Sequence, residues 1–173
     1  MKKRLALSFL VLLVLAMTFS PAQAAEKTPA QVLDGFYKWY FKNVPAIDPV
    51  KGPEHKPFTY RDNFSQAKDF FQPDLYRMLS MAFTKGPSDG DWIDFDPFIN
   101  AQMGARGYKM GKSALKGNRA TVTVSILPGR GSTWKDIPVE LTKSGGTWRI
   151  SNYLYDKDFD LYRFLKKMKY FKE

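Results

Sequence analysis

GYKMGKSALKGNRATVTVSILPGRGSTWKDIPVELTKSGGTWRISNYLY, residues Gly107 to Tyr155, decides the fold. Val122, Val124 and Ile126 alternate with Thr121, Thr123 and Ser125, the period of a strand with one buried face. Ile137, Val139 and Leu141 repeat the pattern, and Trp148, Ile150 and Leu154 extend it. Gly117-Asn118, Pro128 to Ser132 and Ser144-Gly145-Gly146 fall between these runs as turns. The stretch therefore predicts four antiparallel strands: Gly107 to Leu115, one centred on Val124, Thr133 to Thr142, and Thr147 to Tyr155. Gly111 inside the first predicts a bulge. Pro138 inside the third predicts a bulge or an unpaired position, since proline has no amide hydrogen to donate. A meander with one apolar face needs a cover, and the flanking segments supply helices.

Upstream, Thr28-Pro29-Ala30-Gln31 is a helix start with a capping box. Val32, Phe36, Trp39 and Tyr40 come next at helical spacing, with Leu33, Tyr37 and Phe41 beside them. Asp34 and Lys38 are spaced for an ion pair on the wet face. The helix predicted over 29–43 thus carries five aromatic rings, either as a core stripe or as the lining of a pocket. Val44 to Thr59 is broken by four prolines and reads as loop. His55, the single histidine, lies there with no second ligand near it in sequence. Phe64, Ala67 and Phe71 predict a short helix, and Pro73-Asp74 opens a clearer one with Leu75, Met78, Leu79 and Ala82 inward.

Asp89 to Phe98 is the densest acidic stretch. It fails as a calcium loop, because Ile93 stands where an oxygen ligand is required. Asp94 and Asp96 are the candidate acid–base carboxylates, since a carboxyl held among Trp92, Phe95 and Phe98 would keep its proton longer. The structural alternative makes Asp96 the cap of a short helix begun by Pro97, anchored by Phe98 and ended by Gly104. After the sheet, Leu161, Phe164, Leu165, Met168 and Phe171 predict a helix behind Asp158 and Asp160. Its basic end could complement the helix dipole or touch an anionic surface.

Composition sets the compartment. Lys2, Lys3 and Arg4 precede an apolar run from Leu5 to Phe19, and Ala22-Gln23-Ala24 is a small-x-small site with the cut between Ala24 and Ala25. Residues 1–24 are therefore expected to be a cleaved export signal, and 25–173 a single periplasmic domain with no membrane-spanning segment. The formal charge of +10 falls to +7 with that signal removed. There is no cysteine, which excludes disulfides, thiolate metal sites, a thiol nucleophile and a lipid-anchored N-terminus. Export turns the basic charge away from nucleic acid and toward anionic envelope partners, namely lipid headgroups, cell-wall polymers or acidic proteins.

Phe36-Tyr37-Lys38-Trp39-Tyr40, Phe71-Gln72-Pro73-Asp74-Leu75, Asp96-Pro97-Phe98-Ile99-Asn100-Ala101-Gln102 and Gly146-Thr147-Trp148-Arg149-Ile150 occur in an order that resembles a family of bacterial envelope proteins, domain of unknown function 3828. The resemblance implies an α+β, cone-shaped fold of the nuclear-transport-factor-2-like (NTF2-like, cystatin-like) kind. In it, N-terminal helices would pack on a curved four-stranded meander with a short C-terminal helix after it. Met103 stands where that family usually has an acidic residue. The expected role is a non-catalytic binding module for a small molecule or an envelope protein. Trp39, Tyr40, Phe98 and Gln102 would line a pocket between the first helix and the sheet, with no cofactor and no metal. The alternatives are an immunity or inhibitor protein, or an isomerase- or hydratase-like enzyme using Asp94 or Asp96.

Overall fold

The computed structural model describes residues 26–43, 59–85, 92–102, 104–128 and 133–171. The expected export signal, its Ala24/Ala25 cut, His55, Asp89 and Asp91 lie outside the described residues.

Helix α1 spans Pro29–Asn43. Its capping box forms as the residue types require. The Gln31 amide donates to Thr28 Oγ1 at 3.2 Å, and the Thr28 amide donates to Gln31 Oε1 at 2.8 Å. Asp34 and Lys38 pair at 2.7 Å on the outer face. Val32, Leu33, Phe36, Tyr37 and Tyr40 are buried on the inner one.

The short helix expected from Phe64, Ala67 and Phe71 is a 3₁₀ helix of 12 residues, Thr59–Phe70. Three residues per turn place Phe64, Ala67 and Phe70 on one ridge facing the core. Phe71 then leaves the helix and bridges Ile150 in parallel, and the Gln72 amide donates to the Ile150 carbonyl at 2.8 Å. Helix α2, Pro73–Phe83, starts from there with proline in its first turn, where its missing amide hydrogen costs nothing.

The sheet is antiparallel and open, and it has five strands rather than four. In order these are β1 (Gly107–Lys116), β2 (Arg119–Leu127), β3 (Lys135–Ser144), β4 (Thr147–Asp156) and β5 (Phe159–Asp160). β5 is two residues long, too short for alternation to reveal. The β1–β2 register shifts between Met110 and Ser113, so the bulge falls at Gly111. A Cβ there would sit 3.1 Å from the Thr123 carbonyl oxygen. Gly145 and Gly146 both take positive φ, 57° and 81°, and turn β3 into β4 through a two-residue loop.

Pro138 causes no bulge: β2 pairs through it opposite Thr123, and pairing to β4 begins only at Val139. The shift lies instead between Glu140 and Leu141, leaving Ser151 as the extra residue of β4. That extra residue reverses the facing of the rest of the strand. Tyr153, not Leu154, turns inward beside Trp148 and Ile150.

Two further elements depart from expectation. Residues 97–100 form a turn rather than a helix. The turn is closed by a bridge between Asp96 and Ala101, and Asn100 takes φ 47°, a conformation that asparagine tolerates. The last helix, α3, is Leu161–Lys167, capped by Asp160 rather than Asp158, and it stops at Met168 before a 3₁₀ turn over Lys169–Phe171. Leu161, Leu165 and Met168 are buried, so α3 packs on the body of the protein.

Candidate functional site

The expected pocket residues do not share one environment. Tyr40 and Phe98 are fully buried, with ring centroids 6.0 Å apart. Trp39 is half-buried, its ring 5.8 Å from Phe36 and 6.4 Å from Phe64. Gln102 is exposed. Phe98 is the hub: Phe36, Phe71, Tyr153 and Phe64 surround its ring at 4.9, 5.7, 5.8 and 6.0 Å. Rings crowd this part of the interface between α1 and the sheet.

The two candidate carboxylates are also separated in character. Asp94 is exposed, whereas Asp96 is 2% exposed. One oxygen of Asp96 accepts from the Phe98 amide at 2.9 Å, and the other accepts from the Tyr40 hydroxyl at 2.8 Å. Tyr37 donates to the Phe98 carbonyl at 2.7 Å, and Tyr155 donates to the Pro97 carbonyl at 2.6 Å. Three tyrosines and one aspartate thus clamp the 96–101 turn onto α1 and β4. Burial pushes the phenols of Tyr37, Tyr153 and Tyr155 far above the ordinary tyrosine value, and the nearby Asp96 charge acts in the same direction. Such phenols hold their protons tightly and are poor acids near neutral pH.

At the rim of α1, Asp34 joins Lys38 and also accepts from Tyr108 at 2.8 Å. Its hydrogen bond to Lys38 holds its carboxyl below the usual range. Burial, together with the Asp34 hydrogen bond, pushes Tyr108 up to about 12. Among the described residues, no group of three or more His, Asp or Glu side chains is placed to hold a metal ion.

Two surface features were not anticipated from sequence. The first is a cleft of about 400 Å³ whose lining includes Gln72, Arg119, Thr121, Glu140, Thr142 and Tyr162. The second is a cluster of four rings at the margin of the core, three of them packed against it. Phe95 lies 5.5 Å from Phe164, 5.9 Å from Tyr155 and 6.3 Å from Phe159, while Phe159 lies 5.2 Å from Tyr155 and 5.7 Å from Phe164. Phe159 is 39% exposed, and the other three are half-buried. The cluster draws one ring from the 92–96 segment, one from β4, one from β5 and one from α3. No local window contains it; the only hint in sequence was the density of rings near Tyr155 to Phe164.

No described helix is long and apolar enough to cross a membrane. No protein-family model matches the chain, and no curated protein matches it by sequence. Among solved structures, the fold is similar to a chain of the type VI native effector–immunity complex Tae3-Tai3 from Ralstonia pickettii, at 17% identity and a TM-score of 0.50. The match covers 78% of this chain and 99% of that one. A protein of unknown function from Bacteroides thetaiotaomicron VPI-5482 matches at 17% identity and a TM-score of 0.46, over 73% of this chain and 88% of the other. At 17% identity the likeness to the first of these concerns the α+β fold alone.

Proposed function

We propose that the chain is an exported, non-catalytic protein-binding module of the bacterial envelope. It acts as an immunity or inhibitor protein does, by occupying a partner. The observation that carries this reading is the four-ring surface cluster centred on Phe159. Large rings at a surface are costly to leave in water, and protein interfaces concentrate their binding energy in such side chains. The interior favours the same reading. Asp96, the one candidate carboxylate beside buried tyrosines, already has both oxygens engaged by its own chain. The fold neighbour comes from a complex between an effector and its immunity protein, which agrees with a role in protein recognition. The four sequence motifs, the NTF2-like cone they imply and the export signal belong to this reading as well.

A second reading has one observation in its favour. The cleft beside Arg119 and Glu140 has the size and mixed polarity of a small-ligand site. Native mass spectrometry of the protein, purified gently from its own envelope, separates the two. The protein-binding reading predicts a retained second polypeptide. A small-molecule mass, held by the wild type and lost in Arg119→Ala, would overturn it in favour of the cleft.

A further inference from the structure

Resting on the protein-binding reading, we propose that the occupant of the Phe159 ring cluster is a cationic, arginine-bearing loop or terminus of the partner protein. The charge around the rings runs against the rest of the molecule. The chain carries +10 in total, yet three exposed carboxylates neighbour its rings in sequence or in register. Asp94 adjoins Phe95, Asp158 adjoins Phe159, and Asp156 pairs across to Phe159 in the β4–β5 register. Of the cations on the same segments, Lys157 and Lys167 are exposed, Lys166 lies over Tyr162, and Arg163 is held by Asp160 at 3.2 Å.

The chain's other rings give the second argument. Lys109 lies 4.1 Å over the exposed Trp134 ring, Lys166 lies 4.9 Å over Tyr162, and Arg77 lies 5.9 Å over Phe171. Three of the protein's outer rings are thus capped by its own cations. Among the described residues no such cation lies over Phe95, Tyr155, Phe159 or Phe164. These ring faces, negative by their quadrupole, are left for a cation from outside. A guanidinium suits the place better than an ammonium, because it stacks flat on a ring while its edge donates two hydrogen bonds to a carboxylate. Net charge does not forbid the contact. Screening over about 8 Å at physiological salt leaves the carboxylates at the contact in control.

The test is a titration of the folded protein, monitored by NMR, with three capped peptides at millimolar concentration: Arg-Leu-Arg, Gln-Leu-Gln and Glu-Leu-Glu. The expected result is that the arginine peptide shifts the signals of Phe95, Asp156 and Phe159 and binds about fivefold more tightly than the glutamine peptide. The glutamate peptide leaves them unmoved. Asp156→Asn with Asp158→Asn removes the preference, and Phe159→Ala removes the binding. Equal shifts from the arginine and glutamine peptides would overturn the cationic occupant while leaving the binding surface standing. Shifts confined to another face would also overturn it. No shift at the cluster from any peptide would take the protein-binding reading down as well.

Discussion

Phe98→Ala lowers the melting temperature by about 10 °C, because truncating a buried phenylalanine costs roughly 3–5 kcal/mol and a domain of this size loses about 2–4 °C per kcal/mol. The cost falls near the upper end for a geometric reason. Phe98 is fully buried, and its ring touches others from α1, the long 3₁₀ helix, the Phe71 bridge, α2 and β4, so the hole has walls from five separate elements. No single side chain can move in to fill it without breaking another contact. The backbone of residue 98 keeps its bonds to Asp96 and Tyr37 in the variant, so the measurement reports packing rather than the turn. Thermal unfolding monitored by circular dichroism checks it. A fall of less than about 3 °C would mean that the site collapses freely, which a densely packed core does not allow.

The second large effect is at Asp96. Asp96→Asn keeps an oxygen for the Phe98 amide but puts a neutral NH2, which can only donate, where the Tyr40 hydroxyl donated to a carboxylate at 2.8 Å, so that charge-assisted bond is lost. A hydrogen bond to a charged group contributes about 1.5–3 kcal/mol, and the expected loss is of that size, near 2 kcal/mol. Asp96→Ala loses both bonds and costs more, about 4 kcal/mol, by the same reasoning. Tyr40→Phe costs less than either but shares the interaction, so Tyr40→Phe with Asp96→Asn loses less than the two single changes added together. Urea unfolding of the parent and the four variants reads this out. An Asp96→Asn protein as stable as the parent would free the carboxylate from its structural role and return it to candidacy for acid–base chemistry.

Features made by neighbours in the chain were legible from sequence. The capping box spans three residues and the Asp34–Lys38 pair four, and both stand as the spacing requires. Alternation located β2 and β3, and Gly111 marked its bulge because a side chain there would press on Thr123. What was illegible is made by distant partners. The 96–101 turn expected to be helical is held by Tyr40, 56 residues away, and by Tyr155, 58 residues from Pro97. An aspartate before a proline has the same local signature whether a helix or a tight turn comes next. The inward turn of Tyr153 depends on an extra residue at Ser151, and no alternation pattern contains that information. Tyr40 and Phe98 were legible as large rings on an inward face. Whether such rings line a space or fill it is set by the rings opposite, which come from four other elements. The surface cluster around Phe159 was illegible for the same reason.

The central claim is that this protein works at its surface, through the rings at the β5 edge, while its aromatic interior serves to hold the fold. The most direct measurement places a photo-activated benzoyl-phenylalanine at residue 159, and separately at Leu115, and irradiates cells of the native host producing either protein. Leu115 is 63% exposed on β1, at the opposite edge of the sheet, so it samples collisions without sampling the proposed contact. The account predicts one cross-linked polypeptide of defined mass from position 159, reduced when Asp156 and Asp158 are changed to asparagine and absent from position 115. Cross-links of equal yield from both positions, or none from 159, would contradict it.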